Sequence, residues 1–426
     1  MLWFLIIGLF ILLASGMPVA LAIGIPSLAY IIMDGTVPNF AAIQTMVGGA
    51  NTYPLLAIPF FILAGNLMNV SGVTARIFDF SNKLVGHIKG GLGHVNVIAS
   101  IIFAGMSGAA IADAGGLGAI EINAMRKAGY NDRLTIGITA ASSTIGPIIP
   151  PSMVAVIYAV VASTSIGRLF AAGIVPGFIM GLSLMVLIYF LADKYDTPIG
   201  ERASFIEIAK SFVSTFWALL TPGIILGGIF FGVFTPTEAA AIASFYAIIL
   251  GFFIYREMSC KEFYKALVDS MSTTIQIMFI VVSATLFAWI LAKEQVPQIV
   301  ADFMLGKMQN YYLILFSINI LLFVVGCFME TVAAINILVP VFIPLIQKLD
   351  IDPVHFGVIM ILNLMIGILT PPFGTVLFVL SSVAKVPVER VAKDTAIFLL
   401  PLVVVLILIV LFPPLTLFLP DSFFGK

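Results

Sequence analysis

The chain has 426 residues, of which 61% are hydrophobic and only 10% are charged, and its formal net charge is -1. A soluble domain carries about 25% charged residues, so this chain has too few to cover a water-facing surface. The near-zero net charge provides no basic field for nucleic acid, which excludes that class of partner. We therefore expect an all-α polytopic membrane protein, because each spanning helix needs about 20 mainly apolar residues.

The charges lie in short islands between long uncharged runs, as expected of helical spans. The first run, residues 2–33, lacks the basic start of a cleavable signal, so we expect a retained membrane segment. It forms either one tilted span or two helices broken near Pro18. The other uncharged runs cover residues 35–75, 90–112, 134–167, 211–237, 270–292, 308–329, 331–347, 353–384 and 395–420. No segment has the composition of a soluble domain, so residues 1–426 are expected to form a single transmembrane domain.

Two charged segments between spans, Arg76–Lys89 and Arg256–Asp269, contain apolar residues at helical spacing. This pattern predicts helices that lie in the membrane interface. Ordinary connecting loops are the alternative.

An internal repeat emerges when the sequence is aligned with itself at an offset of 221 residues, which places Gly146–Pro151 on Gly367–Pro372. Both segments follow the pattern G-x-x-x-P-P, and both lie mid-way along an uncharged run. Proline ends a helix because it lacks an amide donor and clashes with the preceding turn. We therefore predict two broken helices, over residues 134–167 and 353–384.

The segment ahead of each break has small residues between two apolar stretches. Residues 92–124 pass through Ala104–Ala110, and residues 311–347 pass through Gly326–Thr331. We predict two re-entrant hairpins whose tips stop at mid-membrane, and a helix face of small residues that packs tightly is the alternative. Non-helical backbone at that depth is tolerated only where it faces protein or a water-filled cavity, and paired interruptions indicate a transporter binding site.

The basic residues predict opposite orientations for the two hairpins. Lysines and arginines flank the first hairpin on both sides, which places its flanks in the cytoplasm, whereas the flanks of the second carry mixed charges and are expected outside. The predicted fold is therefore an inverted repeat like that of elevator-type ion transporters. Its parts are repeat one at about 1–168, repeat two at about 211–384 and a C-terminal span at 395–420.

Hairpin tips and helix breaks leave backbone groups without helical partners. Carbonyl and hydroxyl oxygens suit a hard cation such as Na+, and half-helix N-termini attract carboxylates, so we predict two symmetric cation sites beside one anion site. For each hydroxyl, a hydrogen bond back to its own helix is the alternative. The candidate groups are Ser107, Ser142, Ser143, Thr144 and the carbonyls of Gly146–Pro151 in the first half, and Gly326, Met329, Gly367 and Thr370 in the second.

Four acids lie within apolar sequence: Asp113, Glu121, Glu238 and Glu330. A charge at the bilayer centre costs about 2.5–3.5 kcal/mol, so such acids are read first as functional. Asp113 and Glu330 lie near the hairpin tips and are the sharper candidates for substrate binding or gating. Glu238 also fits a capping box with Thr235. Glu121 is expected near the cytoplasmic interface.

The motifs exclude some sources of energy and some activities. The sequence contains no G-x-x-x-x-G-K-[ST] motif, so the energy must come from an ion gradient or another subunit. No histidine or cysteine is placed for nucleophilic or metal catalysis, which argues against an enzyme. A channel would need a continuous pore rather than two closed breaks.

With these motifs assembled, the chain resembles the large membrane subunit of TRAP (tripartite ATP-independent periplasmic) transporters over nearly its whole length. The resemblance rests on Ala104–Gly108 followed by Ala112–Asp113, on Gly146–Pro151, on Phe234–Ala240 and on Thr370–Pro372. It implies Na+-driven uptake of an organic acid across the bacterial inner membrane by an elevator motion. C4-dicarboxylates, sialic acid and other sugar acids are the implied substrates, and we favour sialic acid. The implied partners are a small four-helix membrane subunit and a soluble periplasmic substrate-binding protein.

Carried onto this chain, the resemblance implies two Na+ sites built mostly from backbone carbonyls. The first would use Ser107, Gly146, Ile149 and Pro151, and the second Gly326, Gly367, Thr370 and Phe373. Asp113 and Glu238 resemble functionally sensitive acids of the family. The alternative is a stand-alone carboxylate symporter, coupled to Na+ or H+, that has the same hairpins and needs no binding protein.

Overall fold

A computed structural model, which describes residues 1–308 and 310–425, shows a chain built from helices, with no β-strand in those residues. Eight of the helical segments described are long and apolar enough to span a membrane. The prediction of an all-α polytopic membrane protein is therefore confirmed.

The first run of the sequence forms two helices rather than one tilted span, because the chain leaves the helical conformation ahead of Pro18. A short 3₁₀ turn, Tyr53–Leu56, leads into the fourth helix, and the segment predicted at Arg76–Lys89 forms the amphipathic fifth helix. The bounds are α1 Leu2–Ala14, α2 Val19–Asp34, α3 Asn39–Ala50, α4 Ala57–Val70 and α5 Val73–Val85.

The predicted first hairpin consists of two helical arms joined by a two-residue turn. Its first arm is α6, Gly91–Ser107, and Gly108 makes the turn at a φ of +61°, a conformation that favours glycine. Its second arm continues through α7 (Ala110–Ala112), a π-helical turn (Asp113–Leu117) and α8 (Gly118–Lys127). The predicted first break then separates α9 (Asp132–Ser143) from α10 (Met153–Val161).

The middle of the chain forms long helices, three of which begin with a capping box of the Ser/Thr-x-x-Glu type. The prediction of a separate interfacial helix at Arg256–Asp269 is wrong. One helix instead continues from Cys260 to Lys293, because no glycine or proline interrupts it. The bounds are α11 Ile166–Lys194, α12 Phe205–Phe230, α13 Pro236–Ile249 followed by a π turn Leu250–Ile254, α14 Cys260–Lys293 and α15 Val296–Lys307.

The second half repeats the pattern of two arms followed by a break, and Ile368–Gly374 separates its two half-helices. The run predicted at 395–420 is interrupted, because Pro413 and Pro414 end the helix after Leu411. The bounds are α16 Tyr311–Phe328, α17 Thr331–Lys348, α18 Pro353–Gly367, α19 Thr375–Ala384, α20 Val388–Thr395, α21 Leu399–Leu411 and α22 Pro414–Phe424.

The helices pack in two groups. Helices α1–α5 and α12–α14, which we call the framework, pack mainly on one another, with α14 against α2, α3 and α4. Helices α6–α11 and α16–α22, which we call the hairpin group, contain both hairpins and both breaks. The groups meet where α5, α4 and α12 contact α6, where α4 contacts α10 and where α14 contacts α17, and α15 packs beside both α14 and α17. This arrangement brings the hairpin tips against the framework.

Candidate functional site

The tip of the first hairpin rests directly on the first break. A Cβ added to Gly108 would overlap the carbonyl oxygen of Pro151, and a Cβ added to Gly146 would lie 3.6 Å from the carbonyl carbon of Ala109. Ser107 is buried, and its hydroxyl has no hydrogen-bond partner among the described residues. The structure therefore brings Ser107, Gly146 and Pro151 into one neighbourhood.

The backbone of the first break offers free acceptors beside this tip. The carbonyl oxygens of Gly146, Ile149 and Pro151 accept no hydrogen bond from any described residue. Ser152 shapes the loop, because its hydroxyl donates to the Pro147 carbonyl at 2.6 Å and accepts from the Ala155 amide at 3.1 Å. Unpaired carbonyls are the ligands that a hard cation prefers.

The second tip and the second break are joined by backbone contacts. The Phe373 amide donates to the Cys327 carbonyl at 3.1 Å, and a Cβ added to Gly367 would lie 2.6 Å from the Cα atom of Gly326. The carbonyls of Gly326, Thr370 and Phe373 accept no hydrogen bond within the described part of the chain, whereas the Gly367 carbonyl accepts from the Thr370 amide at 2.8 Å. Three of the four carbonyls predicted here are thus free of protein donors.

Equivalent polar contacts tie each hairpin to its break. In the first half, the Ser142 hydroxyl donates to the Asn96 Oδ1 atom at 2.6 Å. In the second, the Asn363 amide donates to the Asn319 Oδ1 atom at 2.8 Å and to its carbonyl at 3.0 Å. Ser142 and Asn363 align at the 221-residue offset of the sequence repeat. In both halves a polar contact, buried in the first and partly buried in the second, therefore joins the first arm of the hairpin to the first half-helix of the break.

A cavity of about 300 Å³ lies between the framework and the two tips. Ser107 and Glu330 are the two predicted site residues whose side chains line it, and no lysine, arginine or histidine is among the described residues around it. Four helices begin at its wall, with Ala110 of α7, Met153 of α10, Thr331 of α17 and Thr375 of α19.

Two of these four helix N-termini have no side-chain cap. Ser152 caps α10, and the Glu330 carboxylate caps α17 by accepting from the Val332 amide at 2.9 Å and the Ala333 amide at 3.3 Å. The residues at the cap positions of α7 and α19 are Ala109 and Gly374, which make no such bond. Helices α7 and α19 also contact each other. Free N–H groups at a helix N-terminus bind anions, so this pair is suited to a carboxylate.

Other predicted residues lie near the site without lining the cavity. The Ser143 and Thr144 hydroxyls donate to carbonyls of their own helix, at 2.8 Å to Ala140 and at 2.6 Å to Ala141. Ser142 is used in the contact with Asn96. Ser143 and Thr144 therefore follow the helix-bonding alternative left open for them, whereas the Ser142 hydroxyl joins α9 to α6. Met329 lies at the second tip, where its amide donates to Val325.

The remaining predicted acids fall in two different places. Glu238 accepts from the Thr235 amide and hydroxyl, both at 2.8 Å, so the capping box is present in the framework and Glu238 is not among the lining residues of the cavity. Asp113 is buried in the π turn of the second arm, just beyond the cavity.

The sequence did not identify the residues that the framework contributes to the cavity. These are the polar side chains of Asn66 on α4 and of Thr273 and Gln276 on α14, with Gly65 beside them. A Cβ added to Gly65 would lie 3.3 Å from the Cα atom of Ser107, so α4 approaches the tip closely. The available signal was an amide within an uncharged run, as at Gln276 in residues 270–292.

Comparisons with known proteins bear on this arrangement. Residues 6–415 match the family model described as "Tripartite ATP-independent periplasmic transporter, DctM component". The chain is 49% identical over 415 residues to the sialic acid TRAP transporter large permease protein SiaM of Vibrio cholerae, covering 97% of each chain. It is 43% identical to the C4-dicarboxylate TRAP transporter large permease protein DctM of Pseudomonas aeruginosa, covering 87% of this chain and 86% of that one.

A solved structure has a similar fold at low sequence identity. The YdaH transporter of Alcanivorax borkumensis superposes with a TM-score of 0.62 over 88% of each chain, at 13% identity. The relatives are transporter permeases rather than enzymes, and multi-pass location in the inner membrane agrees with the apolar helices. The family resemblance noted in the sequence is confirmed, and the chain belongs to the DctM component, the large permease, of the tripartite ATP-independent periplasmic transporters.

Proposed function

We propose that this permease imports an organic acid anion together with Na+, and that the anion binds in the cavity between the framework and the two hairpin tips. The observation that carries the proposal is the pair of uncapped helix N-termini, at Ala110 and Thr375, in a cavity wall without a basic residue among those described. An anion there is held by N–H groups and helix dipoles rather than by a permanent positive charge.

This arrangement makes anion binding depend on accompanying cations. Helix N-termini carry about half a positive charge each, which stabilises a carboxylate only partly once it has left water. A Na+ ion bound beside each tip would supply the missing charge. The anion and the ions would then bind cooperatively, because each lowers the electrostatic cost of the other.

The two Na+ sites proposed are those expected from the sequence, one at each tip. The first site would use the Ser107 hydroxyl and the carbonyls of Gly146, Ile149 and Pro151. These three carbonyls accept no hydrogen bond from described residues, so their oxygens are available to a cation. The second would use the carbonyls of Gly326, Gly367, Thr370 and Phe373. The Gly367 carbonyl already accepts one N–H and retains a second lone pair for an ion.

An elevator motion of the hairpin group against the framework would expose the site to each side in turn. The contacts of α5, α4 and α12 with α6, of α4 with α10 and of α14 with α17 contain no hydrogen bond or ion pair between described side chains, which favours sliding. The hydrogen-bonded and ion-paired side chains of α5 and α6 have their partners within their own helix or on other elements. The matched contacts of Ser142 and Asn363 support the inverted repeat on which such a motion depends.

Within the organic acids we favour sialic acid over C4-dicarboxylates. Asn66, Thr273 and Gln276 offer hydrogen-bonding groups opposite the helix N-termini, and a polyhydroxylated sugar acid would use more of them than a short diacid. The 49% identity to a permease named for sialic acid supports the same choice. We further propose that a small four-helix membrane subunit and a periplasmic substrate-binding protein complete the transporter. The stand-alone symporter is disfavoured by the tripartite character of the family.

The test is uptake by proteoliposomes that contain this permease with its small membrane subunit and binding protein. Labelled sialic acid is expected to accumulate with an inward Na+ gradient and not when K+ replaces Na+. Unlabelled sialic acid should compete, while succinate at the same concentration should not. Equal uptake in Na+ and K+ would contradict the coupling, and stronger competition by succinate would reassign the substrate.

A further inference from the structure

The second arm of the first hairpin contains two buried carboxyl groups without a basic partner. Asp113 is 1% exposed and Glu121 is 0% exposed. Both carboxyl oxygens of Glu121 and the Oδ2 atom of Asp113 lack a hydrogen-bond partner among the described residues. Neither acid lines the cavity and neither is needed for the two Na+ sites proposed above.

The π-helical turn at Asp113–Leu117 places these two acids on one face of the arm. They are eight positions apart, which in a regular α-helix would turn their directions about 80° away from each other. A π turn takes up one extra residue, so the pair is spaced like residues seven apart, within about 20° of two full turns. Asp113 and Glu121 therefore lie along one line, roughly 10 Å apart along the helix axis.

A third buried polar group faces this line from the first arm. Ser100 on α6 is fully buried, and its hydroxyl is close enough to the Asp113 carboxyl to interact with it, while neither it nor the Asp113 Oδ2 atom makes a hydrogen bond of standard geometry with any described residue. Buried hydroxyls nearly always have a partner, so an unpartnered one beside an unpartnered acid indicates a missing ligand or proton.

No charged group on the neighbouring elements balances the two acids. Helices α5, α6, α9 and α19 pack against this arm, and α19 has no titratable residue. The charged side chains of α5, α9 and the end of α8 pair with other groups, and His94 of α6 bonds to the Lys89 carbonyl. The ion pairs are Arg76 with Glu257, Asp79 with Lys83, Arg126 with Asp132 and Arg133 with Asp394. Lys127 is exposed at the last turn of α8.

The two acids therefore cannot be ionised at the same time unless a cation is bound beside them. An unpaired buried carboxylate loses its hydration and gains nothing in return, and a second one nearby adds repulsion. A single metal ion cannot contact both carboxyls, because hard cations bind oxygen at about 2.3–2.6 Å and the two acids are two helical turns apart. A proton on each carboxyl removes both negative charges and does not require the two acids to be close to each other.

We infer that Asp113, Ser100 and Glu121 form a protonation site in the first hairpin, separate from the Na+ sites at the tips. In the state described here both acids are neutral, with protons taken from water on the outer side. Asp113 exchanges its proton with water through the Ser100 hydroxyl, which accepts one proton as it gives up its own. When the hairpin group moves and water from the inner side reaches the arm, Glu121 gives its proton to that water. Each transport cycle then moves a proton together with the organic anion and Na+.

The first experiment does not depend on transport. Infrared difference spectroscopy of the purified permease, recorded in H2O and D2O near neutral pH, reports the C=O stretch of buried protonated carboxyls. We expect the full band in the wild type and in the control Glu389→Gln, which changes an exposed acid. Glu121→Gln and Asp113→Asn should each show a weaker band, because each removes one of the two buried carboxyls. Absence of the band in the wild type, or an unchanged band in both buried variants, would overturn the protonation site.

The second experiment measures the proton in the transport cycle and rests on the proposed function. Proteoliposomes of the complete transporter carry a pH-sensitive dye inside, and substrate is added with an inward Na+ gradient. The wild type and Glu389→Gln should acidify the lumen, while Glu121→Gln should take up substrate without acidification. Equal acidification by wild type and Glu121→Gln, or uptake by the wild type without acidification, would contradict the proton movement. Absence of all uptake would refute the proposed function, and the infrared band would still decide the protonation site.

Discussion

Gly326 of α16 and Gly367 of α18 meet backbone to backbone at the second tip. A Cβ added to Gly367 would lie 2.6 Å from both the Cα atom and the carbonyl carbon of Gly326, which is too short for any side chain. The absence of side chains lets the Gly326 carbonyl reach the neighbourhood of the break, where its oxygen accepts no hydrogen bond from described residues. This contact fixes the geometry of the second proposed cation site.

Substituting Gly367→Ala is expected to force the two helices apart. Overpacking of this kind costs about 1–3 kcal/mol, and the displaced carbonyls should also raise the Na+ concentration needed for half-maximal uptake. Thermal unfolding in detergent measures the loss of stability, and a Na+ titration of uptake by proteoliposomes measures the raised Na+ requirement.

Gly223→Ala is the matched control, since a Cβ there meets no atom within 4 Å and alanine favours a helix by about 1 kcal/mol. Equal behaviour of the two variants would show that the glycine contact does not matter.

Ala109→Asp tests the proposed anion site through a gain of stability. Aspartate at this cap position should satisfy free N–H groups of the second arm and stabilise the fold by about 0.5–2 kcal/mol. Its negative charge would occupy the anion site, so the KM for substrate should rise about tenfold or more, which corresponds to about 1.4 kcal/mol. Ala109→Asn caps without a full charge and should raise the KM less. A stabilised Ala109→Asp variant with the KM of wild type would place the anion elsewhere.

Ser107→Ala should weaken the dependence of uptake on Na+ while leaving the fold intact. The Ser107 hydroxyl has no partner in the part of the chain that the structure describes, so its loss removes no hydrogen bond there. Loss of one neutral ligand is expected to raise the Na+ requirement by about 3- to 10-fold, or roughly 0.7–1.4 kcal/mol. The control is Ser183→Ala, whose hydroxyl donates to the Met180 carbonyl within α11. Indistinguishable Na+ titrations for the two variants would make Ser107 a packing residue.

The contact between Asn319 and Asn363 is expected to stabilise the second hairpin against its break. Inside membranes such contacts are worth about 0.6 kcal/mol on average and up to about 1.7 kcal/mol. A double-mutant cycle with Asn319→Ala and Asn363→Ala, read from thermal unfolding, should give a coupling energy in this range. Additive single effects would mean that the two amides stabilise the fold independently.

The sequence predicted best where one residue type has a strong local effect. Each proline pair ended a helix where expected, and Thr235 with Glu238 formed the expected capping box. The hydrophobic pattern predicted helix ends less well, so it did not show that α14 begins at Cys260, inside the charged segment Arg256–Asp269, and continues into the span.

The cavity was less predictable, because its wall comes from helices far apart in the sequence. Asn66 and Gln276 face the tips only because α4 and α14 pack beside each other in the framework. Likewise, Glu330 was predicted as a substrate or gating residue, and the local backbone at the second tip turned its carboxylate onto the N-terminus of α17. The residue types at the four cap positions, Ala109, Ser152, Glu330 and Gly374, agree with which N-termini remain uncapped, but the sequence did not specify where these helices begin.

The most direct measurement is a cryo-EM map of the complete transporter with its substrate, recorded once in Na+ and once in K+. In Na+ we expect the carboxylate between Ala110 and Thr375, with one ion beside Gly146 and one beside Thr370, and in K+ we expect all three densities to be lost. Substrate density away from these helix N-termini, or unchanged in K+, would contradict the account.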